Sequence, residues 1–272
     1  MSSKLVPSNP AEVMVIRKVT PNITIFSAPF WRFGRIKIGG RGTLVRMSSG
    51  ALAVFSPTAL TPEVKETVAS LGEVKYIAAL DFEHHMFVGP WHQEYPNAKV
   101  LGVEGLPEKR EKQGNEKVPW STIFTAQNKE KVRVDEEFDR DFDYEFVDGH
   151  GNKELVFCYK PDRTLIEGDL LFNLPATEQF SKMPSVDPNT GFLTRIFTYI
   201  SHTRGEALAQ RRFIWWGLSA GNRPSYNKSV EKINGWNFDR IVPCHGDVIE
   251  SGGKGIFQKV MQWHLEAAKK QS

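Results

Sequence analysis

The chain has 272 residues, 40% hydrophobic and 25% charged, enough apolar material for one large core. Its 35 basic and 32 acidic residues leave a net charge of only +3, and no basic stripe is interleaved with aromatics, which excludes a nucleic-acid binder. No apolar run reaches the roughly 18 residues of a membrane span, and no charged-then-apolar leader opens the chain, so no membrane partner is expected.

Residues 1–10 are polar and contain proline, and read as a flexible tail ahead of one domain over 11–272. Four β-rich runs follow at 12–17, 23–28, 42–46 and 51–55, separated by Pro21-Asn22, Gly39-Gly40 and Ser48-Ser49-Gly50. Thr61 caps a helix that begins at Pro62 and runs through Leu71. A strand at 76–80 leads into His84-His85, a short helix covers 87–94, and another strand covers 99–103. The stretch 105–141 is charged and aperiodic, and reads as solvated surface with short edge strands. Strands resume at 144–147, 155–159 and 164–167. An irregular, aromatic stretch at 171–200 has the character of a lid or pocket wall, and helices are expected at 203–216, 225–235 and 255–269. Cys158 and Cys244 both fall in strands, which reads as buried thiols in a reducing, cytoplasmic setting.

Polar residues collect where these strands stop. Asp169 follows Thr164-Leu165-Ile166 in RTLIEGDLLFN, and His245 closes RIVPCHGD. His84 and His85 follow Tyr76-Ile77-Ala78-Ala79-Leu80, and His150 stands in DGHG ahead of Leu155-Val156-Phe157. Imidazole and carboxylate groups at strand ends are ligands that borderline divalent metals select.

These segments, in this order, resemble the metallo-β-lactamase superfamily, and within it a divergent, fungal-type, DUF4336-like branch. The resemblance implies an α+β fold, a four-layer αβ/βα sandwich with metal at the edge of two sheets. GHGNKELVF gives His150 as the counterpart of one metal-binding histidine, GDLLFN gives Asp169 as the bridging aspartate, and IVPCHGD gives His245 as the last histidine. The first motif departs from the family's His-x-His-x-Asp-His. Here the stretch is Leu80-Asp81-Phe82-Glu83-His84-His85, so Leu80 and Phe82 stand where two histidines belong. Apolar side chains cannot ligate. The resemblance therefore implies one Zn or Fe ion per chain, held by His84, His85, Asp169 and His245, with His150 and Asp169 in proton transfer. A shifted register, with Asp81 or Glu83 as ligand, stays open.

Other residues have plainer readings. His92, His202 and His264 read as helix residues, and Asp148 as a partner of His150 or a turn residue. Phe172, Phe180, Phe192 and Phe197, with Phe30, Trp31 and Phe33 opposite, read as pocket walls. The implied activity is hydrolysis of a small-molecule ester, lactone, thioester or amide. Two alternatives stand beside it: a non-hydrolytic metalloenzyme (lyase, isomerase or iron oxygenase) and an inactive binding protein on the same fold. The oligomeric state is left open.

Overall fold

The computed structural model describes residues 5–270. Residues 1–4 of the expected tail lie outside the described residues. Leu5 already accepts a backbone hydrogen bond from Trp31, at 2.9 Å. Pro10–Val13 forms a short helix, α1, because proline suits a helix's first position; the strand expected at 12–17 therefore starts only at Val15.

Strands β1 (Val15–Lys18) and β2 (Ile23–Ala28) precede a small hairpin, β3 (Trp31–Arg32) and β4 (Ile36–Lys37). Then come β5 (Gly40–Arg46), β6 (Leu52–Phe55), α2 (Pro62–Leu71), β7 (Val74–Ala78), α3 (Val88–Glu94) and β8 (Lys99–Val103). The charged middle folds as α4 (Leu106–Lys112), β9 (Trp120–Phe124) and α5 (Glu136–Asp141). The second half contains β10 (Phe142–Val147), β11 (Glu154–Tyr159), β12 (Thr164–Glu167), α6 (Phe192–Ile200), α7 (Leu208–Phe213), α8 (Arg223–Gly235), β13 (Arg240–Pro243), α9 (Gly253–Val260) and α10 (Gln262–Ala268).

Among the described residues, one sheet has the order β1-β2-β5-β6-β7-β8-β9 and a second has the order β10-β11-β12-β13. Side chains alternate across a strand, and this decides the layers. Phe26 pairs with Gly42 while Phe55 pairs with Thr43, so Phe26 and Phe55 face opposite sides of the first sheet. On the outer side Phe26 meets Trp91 of α3 at 6.3 Å between rings. On the inner side Phe55 meets Phe157 of the second sheet at 4.8 Å and Phe142 at 5.2 Å. The far face of the second sheet is covered by α8 and α9 through Tyr226, Val230, Ile233, Phe257 and Val260, all buried, and Leu265 of α10 packs against this cluster. The result is a helix–sheet–sheet–helix sandwich of the α+β class.

The capping reading at Thr61 holds, with its side chain accepting from the Val64 N–H at 3.3 Å. Three expectations change. The stretch at 171–200 contains a helix, α6, hidden in the sequence because Phe192, Leu193, Ile196, Phe197, Tyr199 and Ile200 leave it no clear polar face. The helix expected at 203–216 starts at Leu208 and passes into a π-helical turn, Ile214–Leu218. The helix expected at 255–269 breaks at Met261 into α9 and α10.

One register positions the site. Strands β12 and β13 run parallel with Glu167 opposite Pro243, so Asp169 and His245 each stand two residues past that pair, at the same end of the sheet. The β7 end delivers His84 across from them, because the Leu155 N–H bonds the Leu80 carbonyl (2.7 Å) and the Phe82 N–H bonds the Asn152 carbonyl (3.2 Å).

Candidate metal centre

Three side chains converge. The Nε2 atoms of His84 and His245 face each other at 3.1 Å, and Asp169 Oδ1 lies 3.4 Å from His245 Nε2. One ligand-type atom from each residue falls within 4.8 Å of the others.

Each imidazole is turned by the partner on its other nitrogen. His84 Nδ1 donates to the fully buried Asp81 carboxylate, with both oxygens at 2.9 Å; that carboxylate also accepts the N–H groups of Glu83 (2.6 Å) and His84 (2.8 Å). His245 Nδ1 donates to the Gly39 carbonyl at 2.7 Å, and Phe172 stacks on its ring at 5.7 Å and 6°. Both Nδ1 atoms carry protons in these bonds, so both Nε2 lone pairs aim into one gap. Two lone pairs at 3.1 Å repel unless a proton or a cation lies between them.

The charges of the two rings divide accordingly. Burial opposes charge on His84, but the Asp81 carboxylate and the Cys244 side chain outweigh it and hold the His84 pKa well above the ordinary value. Burial also opposes ionisation of Asp81, yet His84 and the backbone N–H groups bring its pKa below the usual carboxylate range. Burial pushes His245 down to about 4, with Asp169 opposing. Without a metal, His84 holds the shared proton and His245 accepts it.

Asp169 supplies the third group. Its Oδ2 accepts from Asn152 Nδ2 at 2.6 Å, while its buried Oδ1 has no hydrogen-bond partner among the described residues and faces the gap. Behind it Glu154 accepts the N–H groups of Gly168 and Asp169, both at 2.8 Å. Burial and the Asp81 and Asp169 carboxylates raise the Glu154 pKa well above normal; burial and Glu154 do the same to Glu167. This excess of buried carboxylate, an orphaned Asp169 oxygen and two facing lone pairs fit a divalent cation held by His84, Asp169 and His245.

His85 and His150 are not brought into this cluster. His85 Nδ1 accepts from Arg110 Nη1 at 3.1 Å, and Arg110 also bonds the His85 carbonyl at 2.8 Å. Burial, then Arg110 and Lys109, push the His85 pKa down to about 4. The ring is neutral with its proton on Nε2, a donor and not a ligand. His150 is buried behind Asp169, where its Nδ1 accepts the Asn152 N–H at 3.1 Å. Among the described residues its Nε2 has no hydrogen-bond partner; it lies 3.8 Å from Glu154 and does not reach the cavity wall. Of the open alternatives, Asp81 orients His84, and Glu83 pairs with Lys109 at 3.0 Å. Asp148 pairs with Lys129 at 2.6 Å and accepts from Ser225 at 2.7 Å, so it does not serve His150. His202 and His264 lie outside the cluster, the latter against Asn227 at 2.7 Å.

A cavity of ≈ 360 Å³ opens onto His84, His85 and His245, with Pro7, Phe30, Pro57, Met86 and Phe87 among its walls. Phe30 lies 6.2 Å from the His245 ring, whereas Phe33 points away and is 75% exposed.

The loop that carries His245 is braced by Arg41, a residue the sequence did not single out. This fully buried guanidinium donates to the carbonyls of Pro243 (2.6 Å) and Gly246 (2.7 Å), on either side of Cys244-His245, and to Glu178 (3.1 Å). Burial works against ionised Glu178, but Arg41, Ser27 and Arg17 outweigh it and lower its pKa. A lowered folded-state pKa contributes stability above the unfolded value near 4.5 and loses it as pH falls through the folded one. Glu178→Gln should therefore flatten the acid side of the melting-temperature profile; an unchanged slope below about pH 4.5 in thermal scans would contradict this.

The architecture is that of the metallo-β-lactamase fold. Solved structures that share it include the DIM-1 metallo-β-lactamase exposed to ceftazidime, with TM-score 0.58 and 11% identity over 96% of this chain and 99% of that one. The FIM-1 metallo-β-lactamase from Pseudomonas aeruginosa in its mono-zinc form gives TM-score 0.55 at 10% identity over 94% and 96%. The metal-soaked Flv1 flavodiiron core from Synechocystis sp. PCC6803 gives 0.59 at 12% over 92% and 60%. No curated protein matches the chain. The chain belongs to the family described as Domain of unknown function (DUF4336), which matches residues 33–190.

Proposed function

We propose that this protein is a single-metal hydrolase of a small ester, lactone, thioester or amide. The observation that carries the reading is the facing His84 and His245 Nε2 atoms, 3.1 Å apart at the foot of a largely apolar cavity, with the Asp169 Oδ1 atom 3.4 Å from His245. Zn²⁺ or Fe²⁺ held there would supply Lewis acidity and lower the pKa of water. The rest falls to the chain. Asp81 and the Gly39 carbonyl fix the two ligand rings, and Asn152 fixes Asp169. Asp169 Oδ1 is the acceptor placed to hold a proton from water, and His85, with its Nε2–H set by Arg110, donates to a substrate oxygen. His150 keeps a supporting place behind Asp169. The apolar walls exclude bulk water and admit a small substrate.

Two histidines with one carboxylate also form the set that non-haem Fe²⁺ oxygen chemistry uses. That observation favours an iron enzyme as the second reading. The test is elemental analysis of the native protein, joined to turnover of ester, lactone and thioester panels with and without chelator. About one metal per chain and chelator-sensitive hydrolysis support the first reading. Iron with oxygen uptake and no hydrolysis moves the assignment to the second, and metal-free protein with no Zn²⁺- or Fe²⁺-induced rise in melting temperature overturns both.

A further inference from the structure

Helix α6 is turned inside out. Its buried positions are two threonines, Thr194 and Thr198, and Thr194 accepts the Lys37 N–H of the hairpin at 3.2 Å. Its outward stripe is apolar: Phe192 is 78% exposed, Tyr199 67%, Ile196 46% and Leu193 43%. These residues recur at three- and four-residue steps and so share one side of the helix. The hairpin β3–β4, joined to α6 through Lys37, adds Phe33 at its exposed tip.

The charge on this face is predominantly positive. The hairpin carries Arg32, Arg35 and Lys37, and the stretch 188–205 carries Arg195 and Arg204, with no Asp or Glu in either. Arg35, Arg195 and Arg204 are exposed. Asp187 and Glu206 bound the acid-free stretch, and Lys37 is tied to the Asp187 backbone carbonyl at 2.9 Å. Exposed aromatic and aliphatic side chains among arginines are what an anionic lipid interface binds, the apolar groups entering the acyl boundary and the cations meeting phosphates. A second copy of this chain fits less well, because a two-fold pairing would set Arg195 and its neighbours against like charges, with only Asp187 and Glu206 at the ends of the stretch to meet them.

We propose that the outward stripe of α6 and the Phe33 hairpin tip form a docking face for an anionic membrane surface. This departs from the expectation of no membrane partner, which rested on the lack of a spanning segment; a surface contact needs none. The inner side of α6 meets the metal centre by a short path. Phe197 packs edge-on to Phe172 at 5.7 Å, and Phe172 stacks on His245.

The test is co-sedimentation of the full chain with phosphatidylcholine vesicles, with and without phosphatidylserine. Binding is expected only with phosphatidylserine and should weaken as salt is raised. The double variant Phe192→Ser, Ile196→Ser should lower the partition coefficient at least about tenfold, as should Arg195→Glu, which replaces an attraction by a repulsion. All three side chains are exposed, so the melting temperature should hold. Failure of the native chain to bind phosphatidylserine vesicles overturns the proposal, and so does equal binding by the double variant. A dimer that the double variant converts to monomer assigns the face to a second copy and overturns it as well.

Discussion

Asp169→Asn is expected to empty the metal centre while leaving the fold intact. Asparagine matches aspartate in size and keeps an oxygen for Asn152, but it withdraws the charge that a cation between His84 and His245 requires. Metal per chain should fall from about one to near zero, and the rise in melting temperature on adding Zn²⁺ or Fe²⁺ should vanish. Loss of an outer partner of a metal ligand costs about 10–100-fold in affinity or activity, so loss of the ligand itself should cost at least about 100-fold. In chelator the variant should melt no lower than the native chain, because an unpartnered buried carboxylate oxygen has been replaced by a neutral group. His85→Ala supplies the contrast. Its Nδ1 is engaged by Arg110, so metal content should stay near one per chain while turnover falls. Metal retained in Asp169→Asn, or lost in His85→Ala, removes the three-residue site.

How much of this was legible before folding differs from residue to residue. Asp169 and His245 could be read because each follows a short apolar strand, and the parallel β12–β13 register then makes them neighbours without further information. His84 could be read as a ligand but not told from His85, since adjacent residues leave a loop in different directions. What separates them is tertiary: Asp81 three positions back turns His84 inward, and Arg110 from α4 holds His85. Arg110 itself lay in LPEKREK, where six of seven residues are charged or proline and none announces that one guanidinium is buried. Helix α6 escaped notice for the opposite reason. Its apolar residues lie on the outside as well as the inside, so no polar face marks a helical period and the threonines that face the protein give no core signal. Arg41 had no signal at all in GGRGT beyond glycines that let strands approach closely. Asn173 shows why such closeness matters: a side chain on Gly246, whose φ is +89°, would start 2.2 Å from its carbonyl oxygen.

The site is thus held by backbone carbonyls and a buried cation as much as by its own residues, which makes Arg41→Ala the most damaging change outside the ligand set. The substitution strips donors from the Pro243 and Gly246 carbonyls and leaves Glu178 with Arg17 at 2.6 Å as its remaining cation. Removing one partner of a buried ion pair costs about 3–5 kcal/mol, because the other groups stay buried without compensation. For a chain of this size that is a fall of about 5–9 °C in melting temperature. Metal affinity should fall with it, since the His245 loop loses the clamp on both of its sides. Val68→Ala, in the core of α2 away from the centre, should also lower the melting temperature but leave the affinity for Zn²⁺ unchanged. Titration of both variants with Zn²⁺ separates the effects. If Arg41→Ala binds as tightly as Val68→Ala, the guanidinium stabilises the fold without positioning His245.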